Sequence, residues 1–204
     1  VRCMANKFPA LVIEGDVSRT GFGLLDMMSG IGAHEVIVES PDHLATIADM
    51  DVRGIEKILW AYRERLNDLQ KDDRFRYILI FKNYGSAAGA SLSHPHSQLI
   101  ATPITPRYVK LELTICRDYF REKERCIFCD LVRQELTAGE RIVEENEYFV
   151  AISPFASRFP FETWILPRRH GAHFNKITPV EEKQLARMLK DTLYRIKNTL
   201  NDPP

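Results

Sequence analysis

Over 204 residues the chain balances 28 Lys and Arg against 28 Asp and Glu, a formal net charge of zero. No global field therefore draws it to nucleic acid or to an anionic membrane, and any nucleotide must be recognised locally. No apolar run approaches the ~20 residues of a membrane-spanning helix, and the length suits one large domain or two small ones. Four cysteines (Cys3, Cys116, Cys126, Cys129) in a chain this long do not read as a disulfide framework, so a reducing, cytoplasmic setting is expected.

Residues 1–13 read as a strand and turn, with Asn6-Lys7-Phe8-Pro9-Ala10-Leu11 as the distinctive part. Residues 14–33, rich in Gly, Ser and Met and without a clean period, read as a loop. A strand follows at Glu35–Glu39, ended by Ser40-Pro41-Asp42-His43. From Val52 to Leu69 the apolar positions Ile55, Ile58, Leu59, Tyr62, Leu66 and Leu69 keep a helical period, with Asp51 as N-cap. Tyr77–Phe81 is a strand. Thr102-Pro103-Ile104-Thr105-Pro106 is a break, and residues 107–122 look helical. Cys126-Ile127-Phe128-Cys129 precedes a short helix and strands at Tyr148–Ile152 and Glu162–Leu166. Pro167-Arg168-Arg169-His170 ends the last strand, and a long helix spans Val180–Leu200. The elements predict an α+β fold, an antiparallel sheet with flanking helices.

The stretch from Phe81 to Ile100 carries the chemistry. After the Tyr77–Phe81 strand comes Lys82-Asn83-Tyr84-Gly85-Ser86-Ala87-Ala88-Gly89-Ala90-Ser91, a small-residue loop whose backbone N–H groups can approach a phosphate. His94-Pro95-His96-Ser97-Gln98 follows. If it is a strand, His94, His96 and Gln98 share one face. A neutral imidazole can attack phosphorus, and Gln98 can donate to a non-bridging oxygen. The alternative is a polar strand edge with two solvated histidines. The second half repeats the order of the first: His43 and His170 stand 127 residues apart, as do Glu35 and Glu162. A duplicated unit accounts for this. The second copy stops at Pro204 just after its helix, so a piece of a longer protein is expected. Cys126-x-x-Cys129 has the bite of a zinc knuckle, with His170 the best third ligand and His173 its competitor. Two ordinary cysteines or a redox pair is the other reading.

Asn-x-Gly-x-x-x-Gly-x-Ser followed by His-Pro-His-x-Gln resembles the active-site signature of the galactose-1-phosphate uridylyltransferase family, a branch of the histidine triad superfamily. The resemblance implies two tandem histidine-triad-like units, residues 1–122 and an incomplete 123–204. It implies that His96 carries a covalent nucleotide, assisted by Gln98. Asn6, Phe8, Val36, Asn83, Gly89 and Ser91 would then line the nucleotide and phosphate site. His94 would lie in a zinc site with His43, and Cys126, Cys129 and His170 would hold a second zinc. UDP-hexose and hexose 1-phosphate are the implied substrates and a homodimer the implied assembly. The alternatives are an ADP-sugar phosphorylase or adenylyltransferase of the same superfamily, and a non-catalytic nucleotide-binding zinc scaffold.

Overall fold

The computed structural model describes residues 1–90 and 92–203. Its contacts divide them into two units, Val1–Leu44 with Ala61–Arg107, and Ala45–Trp60 with Tyr108–Pro203. Among the described residues, no helix is long and apolar enough to cross a membrane.

The first unit opens with strand β1 (Arg2–Ala5) and a hairpin of β2 (Arg19–Phe22) and β3 (Leu25–Met28). The sequence led us to expect a loop over 14–33. The hairpin pairs Phe22 with Leu25 around Gly23 and Leu24, and its side chains are almost all exposed. Neither face meets a core, so no alternation of apolar residues could announce it. Strands β4 (Ala33–Val38), β5 (Tyr77–Phe81) and β6 (His96–Thr102) join β1 in an antiparallel sheet of order β1-β4-β6-β5.

One face of that sheet is packed. Ala33, Ile37, Leu99 and Ala101 meet Ala61 and Leu69 of helix α1 (Val52–Leu69), with Cys3, Tyr62, Phe75, Ile78 and Ile80 around them. Leu99 and Ile37 are completely buried, and truncating such a residue to Ala typically costs about 2–5 kcal/mol. Alternation then fixes the opposite face. With Leu99 inward, His96 and Gln98 point the other way, beside Val36, Val38 and Phe81 on the paired strands. Helix α1 starts as expected, with Asp51 Oδ1 accepting the Gly54 N–H at 2.7 Å.

The second unit contains helices α2 (Arg107–Lys123), α3 (Ile127–Ala138) and α4 (Pro179–Thr199), with strands β7 (Ile142–Glu145), β8 (Phe149–Ile152) and β9 (Trp164–Pro167). The strands form an antiparallel sheet in sequence order. Val150 and Ile152 pack on Val132 and Leu136 of α3, while Phe149 and Ala151 pack on Met188 and Leu185 of α4. A strand covered on both faces needs no alternation, which is why Phe149–Ile152 is uniformly apolar. Helix α4 is set by a reciprocal cap: Thr178 Oγ1 accepts the Glu181 N–H, and Glu181 Oε2 accepts the Thr178 N–H at 2.7 Å.

Two further expectations change. Strand β7 had no clear signature, because Ile142-Val143-Glu144-Glu145 is short and irregular in register. The expected Glu162–Leu166 strand begins at Trp164 instead. Glu162 is a buried loop residue whose carboxylate accepts the Arg158 N–H at 2.6 Å and Trp164 Nε1–H at 3.0 Å. A carboxylate so occupied serves a turn rather than a ladder.

Candidate functional site

His94, His96 and Gln98 do not form one strand face, because β6 begins only at His96. Pro95 has no N–H for a ladder, and the chain turns there, so His94 swings to His43. Gln98 and His96 do share a face, with Val36 directly across from Gln98.

The turn is held at three successive carbonyls. His94 C=O accepts from His96 Nδ1–H at 2.8 Å, Pro95 C=O from the Glu39 N–H at 3.1 Å, and His96 C=O from Lys82 Nζ at 3.1 Å. A carbonyl only accepts, so Nδ1 of His96 carries the proton and Nε2 keeps the lone pair. The His96 ring belongs to a residue 6% exposed, and among the described residues Nε2 has no hydrogen-bond partner.

Behind the strand lies a buried polar chain. Lys82 Nζ pairs with Glu39 at 2.7 Å, Glu39 accepts from the Ser97 hydroxyl, and Ser97 meets the Tyr62 hydroxyl. Ser97 and the Glu39 side chain are fully buried. Burial, and then the Glu39 charge, raise the Tyr62 phenol above its ordinary range, so it stays neutral. Neither Glu39, Lys82, Ser97 nor Tyr62 stood out in the sequence as part of this turn. Their types suit a strand end or helix face, and only the pairing register brings them together.

Gln98 Oε1 lies 2.9 Å from His34 Nε2, and His34 Nδ1 accepts the Ala10 N–H at 3.0 Å. Asn6 Nδ2 is 3.1 Å from the same Nε2, while Asn6 Oδ1 accepts the Phe8 N–H. Asn6 is thus joined to Gln98 through a histidine that sequence reasoning did not single out. A lone His in a strand gives no signal until β4 and β6 are aligned. Phe8 is 81% exposed.

The small-residue loop folds on itself: the N–H groups of Gly89 and Ala90 donate to Ser86 C=O and Gly85 C=O at 3.0 and 3.1 Å. Gly89 has φ +87°, and a Cβ there would stand 3.2 Å from Asn83 Nδ2. The loop thus lies against Asn83. Ser91 falls outside the described residues.

Two sets of metal-type donors are present. In the first unit His43 Nδ1 and His94 Nδ1 approach to 2.9 Å, while His94 Nε2 donates to Ser40 C=O at 2.8 Å. That bond leaves Nδ1 of His94 with a lone pair, as a metal ligand needs. In the second unit the donor atoms of Cys126, Cys129 and His170 all lie within 4.8 Å of one another, with Cys129 Sγ 3.2 Å from His170 Nδ1. Two thiols and an imidazole fit three corners of a tetrahedral zinc. His173 is not in that cluster. Beside it, Asp130 fixes the start of α3 by accepting from Tyr119, Arg125 and Arg133 at 2.8–2.9 Å.

Residues 2–106 match the family model for the N-terminal domain of galactose-1-phosphate uridyl transferase, and residues 112–201 match its C-terminal domain. An ADP-glucose phosphorylase of Arabidopsis thaliana is 38% identical over 100% of the chain and 57% of its own length. A galactose-1-phosphate uridylyltransferase of Thermotoga maritima is 37% identical over 78% of the chain and 49% of its own length. The structure of an ADP-glucose phosphorylase from Arabidopsis thaliana with bound ADP-glucose superposes with a TM-score of 0.88 at 36% identity, over 100% of this chain and 62% of that one. A uridylyltransferase structure gives 0.92 at 30% identity, over 99% and 63%. The chain spans about half the length of the curated relatives it matches.

Proposed function

Since the chain belongs to the galactose-1-phosphate uridyl transferase family, we propose that it carries the nucleophile of a two-step nucleotidyl transfer from a nucleoside diphosphate hexose. His96 Nε2 attacks the α-phosphorus; the bond to the bridging oxygen breaks, and hexose 1-phosphate leaves with the electron pair. The nucleotidyl group, now on the imidazole, passes to an acceptor phosphate oxygen, and His96 returns to its neutral form. One observation supports this above all: the His96 Nδ1–H is tied to the His94 carbonyl, so the lone pair is on the other nitrogen. Gln98, next along the same face, serves as donor to a non-bridging oxygen. Lys82, Glu39 and Pro95 keep the turn rigid, so that little reorganisation accompanies the attack.

Two sets of substrates fit this chemistry. With UDP-hexose as donor and hexose 1-phosphate as acceptor it is a uridylyltransferase, the reading the His-Pro-His-x-Gln stretch suggested. With ADP-sugar as donor and inorganic phosphate as acceptor it is a phosphorylase. The likeness to ADP-glucose phosphorylase over the entire chain favours the adenine nucleotide.

The zinc reading rests on donor chemistry. Cys126, Cys129 and His170 would hold a structural ion, and His43 with His94 would contribute to another. Zinc there would supply rigidity and would take no part in bond making.

The test is to incubate the intact protein with labelled ADP-glucose or UDP-glucose, without acceptor. Mass spectrometry should find an acid-labile, base-stable nucleotide adduct on His96, and His96→Gly should abolish it. An adenylyl adduct identifies the phosphorylase chemistry and a uridylyl adduct the uridylyltransferase. Absence of an adduct with every nucleotide would leave the zinc scaffold.

A further inference from the structure

We propose that His34 is a positioning residue: its tautomer fixes which end of the Gln98 amide faces the His96 site. This rests on the reading above, in which Gln98 serves as a donor, but the hydrogen-bond logic is independent of substrate. Asn and Gln amides can turn over, and only their partners determine the orientation. The chain of constraints starts at a group that cannot turn over.

The Ala10 backbone N–H can only donate, and it faces His34 Nδ1 at 3.0 Å. Nδ1 is therefore the acceptor, and in the neutral ring the proton is on Nε2. That proton has two neighbours. Asn6 Nδ2, at 3.1 Å, belongs to an amino group and cannot accept. The Phe8 N–H, donating to Asn6 Oδ1 at 2.9 Å, prevents Asn6 from exchanging its ends. The remaining neighbour is Gln98 Oε1 at 2.9 Å, which accepts. With its oxygen so engaged, Gln98 has its Nε2 amino group as the end left for a ligand.

The consequence is chemical. Gln98 and His96 are on the same face of β6. An amide turned the other way would offer a carbonyl oxygen to an anionic phosphoryl group and repel it. His34 thus converts an ambivalent side chain into a donor without touching the reacting atoms. Second-layer partners that orient a ligand-contacting group in this way commonly matter about 10- to 100-fold.

The tautomer can be read without any substrate. In the intact protein, long-range nitrogen–proton correlation spectra should report Nε2–H and an unprotonated Nδ1 for His34. The Nδ1–H form would overturn the proposal. Kinetics give the second arm, read as the rate of nucleotide adduct formation on His96 with ADP-glucose and UDP-glucose. His34→Leu should slow it roughly 10- to 100-fold. His34→Gln, which can return an N–H near the position of Nε2, should recover most of the rate. In a Gln98→Ala background, His34→Leu should add no further loss.

Equal losses in both backgrounds, or no recovery with His34→Gln, would mean that His34 only supports the Asn6–Ala10 turn. A wild-type protein that forms no adduct overturns the transfer reading, and the tautomer measurement then decides the orientation of Gln98. A wild-type protein that forms it, with His34→Leu just as fast, overturns this inference alone.

Discussion

His43 and His170 occupy the same point of a repeated strand–turn–helix segment, and their surroundings differ in kind. The helices that follow start at Val52 and Pro179, again 127 residues apart. His170 faces two thiols, and the nearby Arg169–Glu181 pair sits at a helix cap. His43 faces His94, and the turn at His94 continues into His96, with the carbonyls of His94, Pro95 and His96 all engaged. A metal site asks only for donors at suitable distances. A nucleophile asks for one ring, in one tautomer, held still. The same segment supplies the first requirement in the second unit. In the first unit the added Glu39–Lys82 pair holds the turn at His96, as the second would require of the proposed nucleophile.

The largest effect expected is at the nucleophile. His96→Gly should reduce nucleotide transfer by on the order of 10⁴-fold or more and leave the urea midpoint nearly unchanged. A variant that keeps even a tenth of the wild-type rate in stopped-time assays would remove His96 from the chemistry. Next comes the pair behind it. Lys82→Met leaves the fully buried Glu39 side chain without its cation, a change expected to cost about 3–5 kcal/mol in urea unfolding. The double variant Glu39→Gln with Lys82→Met should regain most of that stability while adduct formation stays slow. A loss below ~1 kcal/mol would class the pair with surface ion pairs and erase the contrast between the two turns.

In the second unit the expected losses concern metal and acid. Cys129→Ser should lower bound zinc, measured by elemental analysis after dialysis, and should spare the His96 adduct if the site is structural. The Glu162 carboxyl is held at about 2, below its ordinary 4.5, first by the Arg158 guanidinium, then by the Arg158 N–H and Trp164. A depressed folded value stabilises fully above 4.5 and is lost as pH falls towards about 2. Glu181, beside Arg169, behaves alike, also near 2. Glu162→Gln should therefore flatten the fall of the urea midpoint between pH 4.5 and 2, without abolishing it. An unchanged slope would show that Arg158 does not hold this carboxylate in solution.

Much of this was legible from residues alone, and the boundary has a physical origin. Helix α1 and the Tyr77–Phe81 strand match their expected limits, because a one-sided apolar face writes itself into the periodicity. The Cys126–Cys129–His170 cluster was readable because the two thiols are local in sequence and His170 was the best third candidate beside them. The β2–β3 hairpin was not readable, since a hairpin that buries nothing has no pattern to show. Neither was the His34–Gln98 contact or the Glu39–Ser97–Tyr62 chain. Those depend on cross-strand register, which a single strand's sequence does not carry. The face expected to be shared by His94, His96 and Gln98 failed for a related reason: the i, i+2 rule presumes an unbroken strand, and β6 begins only after Pro95.

The smallest effect separates backbone strain from contact by using one glycine in each unit. Gly89 and Gly139 both have left-handed backbones, φ +87° and +73°, where an L side chain is strained by about 1–2 kcal/mol. At Gly139, which caps α3, an added Cβ meets nothing within 4 Å. At Gly89 it would press on Asn83 Nδ2 at 3.2 Å. Alanine at either position should therefore lower stability by a similar small amount. Only Gly89→Ala should also displace Asn83 and raise the nucleotide concentration needed for half-maximal adduct formation. Were Gly139→Ala to weaken nucleotide use equally, the loop around Asn83 would lose its claim to the nucleotide.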